Sequence, residues 1–188
     1  MNIIERIKGI LFNPKEEWQT IAGETTSIAE LYRNYIFLLA AIGPIASFIG
    51  MSLVGVSLPL RGVYRISIAS GITSAAIQYG LTLVSVYILA YIIDALAPTF
   101  SGEKNLNQAF KLAMYSSIPG WLVGVFALIP AFGVLGILGL YGLYLLYVGL
   151  PVLMKSPKEK TTGYTVTVIV AAMIIFILIG AISRIFVS

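Results

Sequence analysis

Four polar side chains recur at intervals of four residues within the apolar run Ile66–Leu96. They are Ser70, Ser74, Gln78 and Thr82. In a helix this spacing places three hydroxyls and one amide on a single face. Two interpretations stay open: the face lines a hydrated path, or it packs against a neighbouring helix through interhelical hydrogen bonds. We favour packing, and Gln78 is the most informative member because an unpaired amide in hydrocarbon is expensive.

Asp94 is the only acidic residue within a long apolar run. Charge in hydrocarbon is costly, so an ionisable side chain there is a candidate functional residue. One interpretation is a carboxylate that couples transport to protons or cations. The other, which we favour, is an interfacial carboxylate that reaches headgroup water, because Asp94 lies near the end of its predicted helix.

The residues that most enzymes need are missing. The chain has no cysteine and no histidine, which excludes disulfides, thiolate nucleophiles, imidazole bases and the commonest zinc ligands. Asp94 is the only aspartate, so proteolysis by a pair of aspartates is excluded, and a serine site would lack the usual base. We therefore expect a protein that is not an enzyme, with no catalytic residue, cofactor or metal site.

Composition predicts a membrane protein. Of the 188 residues, 59% are hydrophobic and 11% are charged, which leaves too little polar surface for a soluble compact domain. Several uncharged windows have the roughly 20 residues that a helix needs to cross a hydrocarbon layer. The net charge of +4 comes from basic residues that flank these windows, so we expect no nucleic-acid partner.

We predict an all-α, polytopic helical membrane protein with five transmembrane helices. The predicted spans are Tyr35–Val56, Ile66–Leu96, Phe110–Phe132, Val134–Met154 and Tyr164–Phe186. In the first, the proline of the pair Gly43-Pro44 should kink the helix because it removes a backbone hydrogen bond. The third, which contains Pro119 and Pro130, has an alternative interpretation as a re-entrant half-helix.

Residues 1–34 are predicted to form a cytoplasmic or interfacial amphipathic helical region, and residues 35–188 to form the five-span domain. Apolar residues at helical spacing begin the chain: Ile3, Ile4, Ile7, Ile10 and Leu11. This first helix either lies in the headgroup plane or docks on the protein's own cytosolic face, and both positions stay open.

Capping signals divide the rest of the N-terminal region. A second helix should begin at Asn13-Pro14 and end near Gly23. Ser27 and Glu30 then form a capping-box pattern, which should open the helix that leads into the first span.

Basic residues are distributed unevenly between the two sides of the predicted bundle. With strict alternation of five spans, most fall on the side of the N-terminus: Arg6, Lys8, Lys15, Arg33, Lys104, Lys111, Lys155, Lys158 and Lys160. The other side has Arg61, Arg65 and Arg184. The N-terminus should therefore be cytoplasmic, and the C-terminus should lie across the plasma membrane. A re-entrant Phe110–Phe132 would put Lys155–Lys160 on the wrong side, which favours a true crossing.

Glycines recur three residues apart around the fourth span: Gly133, Gly136, Gly139 and Gly142. On an α-helix, residues three apart are offset by about 60° around the helix axis. These glycines should therefore leave a broad flank of the helix without side chains, rather than one narrow stripe. Neighbouring backbones can approach closely there. Gly149 and Pro151 should loosen the helix before the basic loop, either as a hinge or, as we favour, as a simple helix end.

Four segments resemble a known family. They are Phe12–Trp18 (FNPKEEW), Tyr115–Leu122 (YSSIPGWL), Gly139–Lys155 (GLYGLYLLYVGLPVLMK) and Lys158–Val166 (KEKTTGYTV). In order and spacing they are similar to the prokaryotic branch of the Yip1 family, and the likeness covers almost the whole chain. The family-like motif and hinge positions are Gly43, Pro44, Tyr115, Pro119, Gly142, Gly149 and Pro151.

The resemblance implies a polytopic helical protein with a cytosolic N-terminus. Eukaryotic relatives are associated with vesicle trafficking, Rab-type GTPases and the shaping of endomembranes. Gly43 and Pro44 resemble the end of an acidic DLxGP-type motif of those relatives, with Ala41 and Ile42 in the preceding positions here.

Two functions are open from the sequence. The first is a non-enzymatic membrane protein that organises the membrane or membrane-protein partners, in a trafficking-like or membrane-shaping role. The second is a small transporter or channel that uses the polar face from Ser70 to Thr82 together with Asp94. The expected partners are the lipid bilayer and either other membrane proteins or further copies of this chain.

Overall fold

A computed structural model describes residues 2–58 and 62–187 of the chain. The side chains of residues 57, 58, 176 and 178–187 lie outside this description, so the predicted positions of Arg61 and Arg184 fall outside it too. The α-helices are α1 (Ile3–Phe12), α2 (Pro14–Gly23), α3 (Ile28–Leu31), α4 (Phe37–Leu39), α5 (Ile42–Phe48), α6 (Ile68–Leu96), α7 (Leu106–Val123), α8 (Tyr141–Leu153) and α9 (Lys158–Val187).

Four helical segments within the described residues are long and apolar enough to cross a membrane. We name them span 1 (Ile28–Val54), span 2 (Ile68–Phe100), span 3 (Leu106–Leu128) and span 4 (Pro130–Leu153). The predicted all-α class is confirmed. The fifth predicted span, Tyr164–Phe186, lies within α9, its last side chains are outside the description, and its crossing stays a prediction.

The two N-terminal helices begin and end close to where their capping residues predict. Asn2 and Glu5 form a capping box at the start of α1. Pro14 is the first residue of α2, and this helix ends at Gly23, as predicted. The side chain of Asn13 makes no capping hydrogen bond. Together α1 and α2 form a short pair of helices, which we call the N-terminal hairpin.

Span 1 departs from a regular α-helix at three places. The first place is a turn at Ala40, four residues before Pro44. Proline has no N–H to donate to the carbonyl oxygen of Ala40, and its ring crowds the preceding turn of the helix. The α-helix is thus interrupted where the kink is predicted, and the predicted capping box of Ser27 and Glu30 at the start of the span is confirmed. Wider π-helical turns at Tyr32–Ile36 and Ile49–Val54 are not predicted by the sequence pattern.

A short β-hairpin joins spans 1 and 2, where the sequence predicts only a loop. Strand β1 (Val56–Leu58) pairs antiparallel with β2 (Gly62–Tyr64), and Val56 lies opposite Tyr64. A β-branched residue opposite an aromatic residue is a favourable cross-strand pair. Gly55, just before β1, has a φ of 87°, a conformation that suits glycine.

Span 2 is longer than a bilayer requires. Ser67 caps α6 by accepting a hydrogen bond from the N–H of Ser70, and a 3-10 turn at Ala97–Phe100 continues the helix. The resulting 33 residues correspond to about 50 Å. Span 2 must therefore tilt or extend past a hydrocarbon layer about 30 Å thick.

Spans 3 and 4 meet at a different residue from the one predicted. Span 3 is α-helical to Val123 and continues as a 3-10 helix over Gly124–Leu128. The chain reverses at the extended residue Ile129, and Pro130 begins span 4. The predicted boundary at Phe132 is wrong because proline suits the first turn of a new helix, where its missing N–H needs no partner. The 23 residues of span 3 suit a full crossing better than a half-helix.

The first part of span 4, Pro130–Leu140, is a 3-10 helix. With three residues per turn, residues three apart lie above one another. Gly133, Gly136 and Gly139 therefore form one stripe, which we call the glycine stripe. The predicted broad flank is wrong because that prediction assumed 3.6 residues per turn. Gly142 belongs to α8 instead.

The central helix of the core is α7. All of its residues from Ala109 to Ser116 are buried, and it packs against α6 and α8. Helix α9 also contacts α6 and α8. The sites described below therefore lie either at the N-terminal end of α7 or along its flanks.

The reversal at Ile129 predicts which positions share a side of the membrane. Because the natural chain has no cysteine, single cysteines can be introduced without background labelling. Ile129→Cys and Val63→Cys should react with an impermeant maleimide from one side, and Lys104→Cys and Lys158→Cys from the other. Labelling of Ile129→Cys and Lys104→Cys from the same side would contradict the crossing of span 3.

Candidate functional site

The N-terminal hairpin docks on the bundle through a buried ionic cluster. The side chain of Arg6 is 2% exposed, and its guanidinium pairs with Glu17 on α2 and with Glu24 just after α2. A buried cation without such partners would be very costly. Arg6 and Ile10 are the buried residues of α1. The buried face of this helix therefore contains a charged side chain as well as an apolar one.

Lys111 joins the end of α2 to α7. It is 1% exposed, and its Nζ donates hydrogen bonds to the carbonyl oxygens of Ile21, at 3.1 Å, and Glu24. The neighbouring Gln108 donates to the carbonyl oxygen of Ala22 at 2.9 Å. The last carbonyls of a helix have no intrahelical partner, and a cation near them is favourable. Side chains of α7 therefore cap α2.

An aromatic cluster lies beside these charges. The ring centroid of buried Trp18 is 6.1 Å from that of Tyr115, which lies 5.6 Å from that of Tyr35, and both pairs are edge-to-face. The Arg6 guanidinium carbon is 5.9 Å from the Tyr115 ring centroid, within cation–π range. A β-carbon at Gly149 would lie 2.7 Å from Cε2 of Trp18. Two family-like positions, Tyr115 and Gly149, thus form the socket for Trp18.

The formal charges of the ionic cluster cancel, since Arg6 and Lys111 are balanced by Glu17 and Glu24. Burial by itself lowers the pKa of Arg6. Attraction to Tyr115, Glu24 and Glu17 outweighs burial, so the pKa of Arg6 lies above its ordinary value. Arg6 therefore stays protonated, and the cluster closes without leaving a net charge inside the protein.

From the sequence, these charges are predicted only to set the topology. A signal for their role is present, because Arg6 lies four residues from Ile10 on the buried face of the first helix. Lys111 likewise lies inside an apolar run. Of the two predicted positions for this helix, the structure shows docking on the protein's own surface, while Ile4 and Phe12 stay exposed.

A second region, which we call the Gln78 cavity, lies among spans 1, 2, 3 and 4. Its volume is about 470 Å³, within the range of small-molecule sites. Gln78 and Thr82 line it from span 2, Gly43 and Pro44 line it from span 1, and the glycine stripe lines it from span 4. Most of the wall is apolar, so the exposed Gln78 amide is the main polar side chain that an occupant would meet.

The structure divides the predicted polar face. Ser70 and Ser74 do not line the Gln78 cavity. Ser70 instead accepts a hydrogen bond from the Ser67 hydroxyl at 2.9 Å, near the start of α6. The Thr82 hydroxyl donates to the carbonyl oxygen of Gln78 at 2.8 Å, the usual local bond of a hydroxyl in a helix. The face therefore reaches the cavity only in its second half.

Asp94 lies apart from this cavity, about 24 Å from Gln78 along α6 at 1.5 Å per residue. It is half-buried near the end of α6, and its Oδ1 has no hydrogen-bonding partner within the described part of the chain. The Tyr164 hydroxyl donates to the adjacent carbonyl oxygen of Ile93. Among the described residues, no group of three or more His, Cys, Asp or Glu could hold a metal ion. Asp94 and Gln78 do not form one site.

The remaining family-like positions lie at close helix contacts or near a helix end. A β-carbon at Gly124 would lie 2.9 Å from Cα of Gly43, so spans 1 and 3 meet backbone to backbone. A β-carbon at Gly142 would overlap a carbonyl oxygen of α7. Pro119 is buried within α7, and Pro151 lies two residues before the end of α8. Helix α8 ends at Leu153, before the basic loop.

Breaking the ionic cluster from one side should release the N-terminal hairpin. Arg6→Met leaves Glu17 and Glu24 without their partner, which should destabilise docking by about 3 kcal/mol. The double variant Arg6→Met/Glu17→Gln should recover part of this loss, because the more buried of the two carboxylates is neutralised and only the more exposed Glu24 is left without its partner. Hydrogen exchange of the α1 amides in nanodiscs measures docking, with the exposed Lys8→Met as the control. Equal protection in Arg6→Met and Lys8→Met would contradict the role of the cluster.

Comparison with known proteins identifies the family. The Yip1 domain matches residues 8–180 of the chain. Inner membrane protein YohC, from two strains of Escherichia coli, is 28% identical over 127 residues, which are 68% of this chain and 65% of YohC. The match thus spans a little under two thirds of these curated relatives. No solved structure shows a significant match. The chain is an integral membrane protein, and it belongs to the Yip1 family.

Proposed function

We propose that this Yip1-family protein is not an enzyme and that it organises the membrane or membrane-protein partners at the cytoplasmic face. The observation that carries the proposal is the N-terminal hairpin. It is held to the bundle by the ionic cluster and by Trp18, and it still exposes large apolar side chains. Ile4 is 56% exposed and Phe12 is 77% exposed. Because this apolar surface is held rigidly to the bundle, a lipid or protein that binds the surface also affects the position of the spans.

The exposed residues of α1 suit a lipid headgroup region. Ile4, Lys8 and Phe12 are four residues apart and all exposed, so they share one face of the helix. The lysine stem can lie along apolar surface while its ammonium reaches a phosphate. Lys15, also exposed, adds a second cation at the start of α2. Two apolar side chains bind weakly, so this contact is reversible and depends on anionic lipid.

The proposed orientation has the N-terminal hairpin in the cytoplasm and the C-terminus across the membrane, with α9 as the fifth crossing. Contacts between two polar loops support it. The N–H of Glu103 donates to the carbonyl oxygen of Met154 at 2.8 Å, and its carboxylate pairs with Lys155 at 2.7 Å. The loops after spans 2 and 4 therefore lie together, at the end where the hairpin docks. Lysines concentrate at this end, as they do in cytoplasmic loops.

The proposal assigns different roles to two parts of the chain. Residues 1–34 provide the surface contact, and residues 35–188 provide the membrane domain. The bilayer is the first partner, and other membrane proteins or a second copy of the chain are the proposed protein partners. The name of the E. coli relatives, inner membrane protein, agrees with a place in the plasma membrane.

A second candidate function is a small transporter or channel, and the Gln78 cavity favours it. The cavity brings the amide of Gln78 and the hydroxyl of Thr82 to the junction of four spans. An amide can both donate and accept hydrogen bonds, so it suits a small polar solute. In this function Asp94 acts separately from the solute, near the end of α6.

Removing the exposed apolar pair should weaken the effect of the protein on membranes. In proteoliposomes with anionic lipid, Ile4→Ser/Phe12→Ser should shift the vesicle diameters towards those of protein-free vesicles, because serine cannot insert among headgroups. Electron cryomicroscopy measures the diameters. Val63→Ser/Tyr64→Ser, an exposed apolar pair at the other end of the bundle, is the matched control. Unchanged diameters and unchanged recovery of protein partners in the first variant would rule out the organising role.

The transport candidate makes a separate prediction. Efflux of trapped glycerol or K⁺ from proteoliposomes should fall about tenfold in Gln78→Leu, because the amide that hydrogen-bonds the solute is lost. Ser70→Ala should leave efflux unchanged, since Ser70 does not line the cavity. If vesicles with and without protein release these solutes at the same rate, the candidate fails.

A further inference from the structure

The first half of α6 is poorly covered by the rest of the chain. No residue from Ile72 to Ser85 is buried, and four of the five buried residues of this helix lie at Val86 or beyond. The side chains of Ser70, Ser74 and Gln78 are all exposed. If the predicted polar face packs against a neighbouring helix, that helix is not within the described part of this chain.

The side chains of this half are mostly small or polar, which is unusual for a surface that faces lipid. From Ala69 to Thr82, nine of the 14 residues are Gly, Ala, Ser or Thr. Helix α9 instead exposes Val170, Met173 and Ile174. Small residues are typical of contacts between transmembrane helices, because they let two backbones approach closely. A β-carbon at Gly80 would meet nothing within 4 Å, so no described part of the chain uses this glycine for such a contact.

Five exposed residues of this half alternate at intervals of four and three residues. This spacing is the a/d repeat of two parallel helices in a coiled coil. We call the five residues the α6 seam: Ser70, Ser74, Ile77, Leu81 and Val84. No charged residue lies between Arg65 and Asp94, so two such seams can meet without bringing like charges together.

Gln78 lies on the flank of the α6 seam and at the depth of the hydrocarbon. It is about 15 Å from the start of α6 at 1.5 Å per residue, which is halfway through a hydrocarbon layer about 30 Å thick. Among the described residues, Gln78 forms hydrogen bonds only through its backbone. Lipid tails cannot pair with its amide, and an unpaired amide is costly there. The exposed amide therefore favours a polar partner from another protein chain.

We propose that the α6 seam binds the α6 seam of a second copy of this chain and forms a twofold dimer. Both copies insert in the same orientation, so their α6 helices run parallel and equal depths meet across the axis. This dimer deepens the proposed organising function, on which it rests, by giving the second copy a defined contact surface.

The repeat itself supplies the partner for Gln78. Gln78 follows the seam residue Ile77, in the flanking position that faces the residue five places earlier on the other helix of a parallel pair. That residue is Thr73 of the second copy. The Thr73 hydroxyl donates to the carbonyl oxygen of Ala69 at 3.0 Å, so its oxygen can accept a hydrogen bond from the amide. Twofold symmetry forms this bond twice.

Energy transfer between fluorophores measures the dimer. The full-length protein, labelled with donor or acceptor at Lys104→Cys, is reconstituted in phosphatidylcholine liposomes and diluted with lipid. Gln78→Leu and Thr73→Val should each raise the dissociation constant about tenfold, because either change removes both hydrogen bonds. The double variant should be no weaker than the singles, since the two residues form one pair. Thr167→Val, which removes a hydroxyl of α9 that likewise bonds within its own helix, is the control and should dimerise as the unmodified sequence does.

Disulfide formation tests which face of α6 meets the second copy. Ile77 is 52% exposed and belongs to the α6 seam, whereas Ile72 is 55% exposed and lies on another face of the same helix. On mild oxidation, Ile77→Cys should form a disulfide-linked dimer, because equal seam positions meet at the axis. Ile72→Cys is the matched control and should stay monomeric under the same conditions.

Any of three results would overturn the dimer. The first is energy transfer no greater than random proximity in the membrane produces. The second is an equal yield of linked dimer from Ile77→Cys and Ile72→Cys. The third is crosslinking of Ile77→Cys in native membranes to a different protein only, which would assign the α6 seam to another partner.

Vesicle diameters separate the dimer from the organising function. Ile4→Ser/Phe12→Ser leaves the α6 seam intact and should dimerise normally. If the protein dimerises but diameters do not respond to this variant, the dimer stands and the organising function fails. If diameters respond while the protein is monomeric, the dimer fails and the organising function stands.

Discussion

Hydrocarbon offers no hydrogen bonds to a polypeptide backbone, and this constraint determines how the chain is built. Every described segment long enough to cross the membrane is helical, and the β-hairpin is confined to the connection between spans 1 and 2. Where the spans depart from the α-helix, the backbone still forms hydrogen bonds within the segment. These are of the π-helical type in span 1 and of the 3-10 type in span 4. One such departure builds a cavity wall, because the 3-10 turns align the glycine stripe.

The same scarcity of partners explains the ionic cluster at the end of α7. Arg6 and Lys111 are almost completely buried, and each obtains its partners from the protein: carboxylates for the guanidinium and the carbonyl oxygens at the end of α2 for the ammonium. Trp18 fills a socket that exists because Gly149 has no side chain. Polar and apolar contacts therefore stabilise the same interface, and through it the N-terminal hairpin is attached to α7, the central helix of the core.

The features that could be predicted from sequence are the local ones. The capping box of Ser27 and Glu30 and the break before Pro44 depend on a few neighbouring residues, so their patterns are sufficient. The partners of Lys111 come from a distant segment, and its charge alone resembles a topology signal. The cavity lining is also non-local: Gln78 reaches the cavity and Ser70 does not, because the positions of spans 1 and 4 decide which turns of α6 are covered.

In its 3-10 form, Pro130–Leu140 is longer and narrower than an α-helix of the same sequence. Its 11 residues extend about 22 Å at 2.0 Å per residue, but only about 17 Å if wound as an α-helix. Conversion of this segment to an α-helix would also rotate the glycines relative to one another, so that they no longer form one stripe. Twist and length are thus coupled in a segment that borders the Gln78 cavity, so a change in bilayer thickness that rewound it would also alter the shape of that cavity.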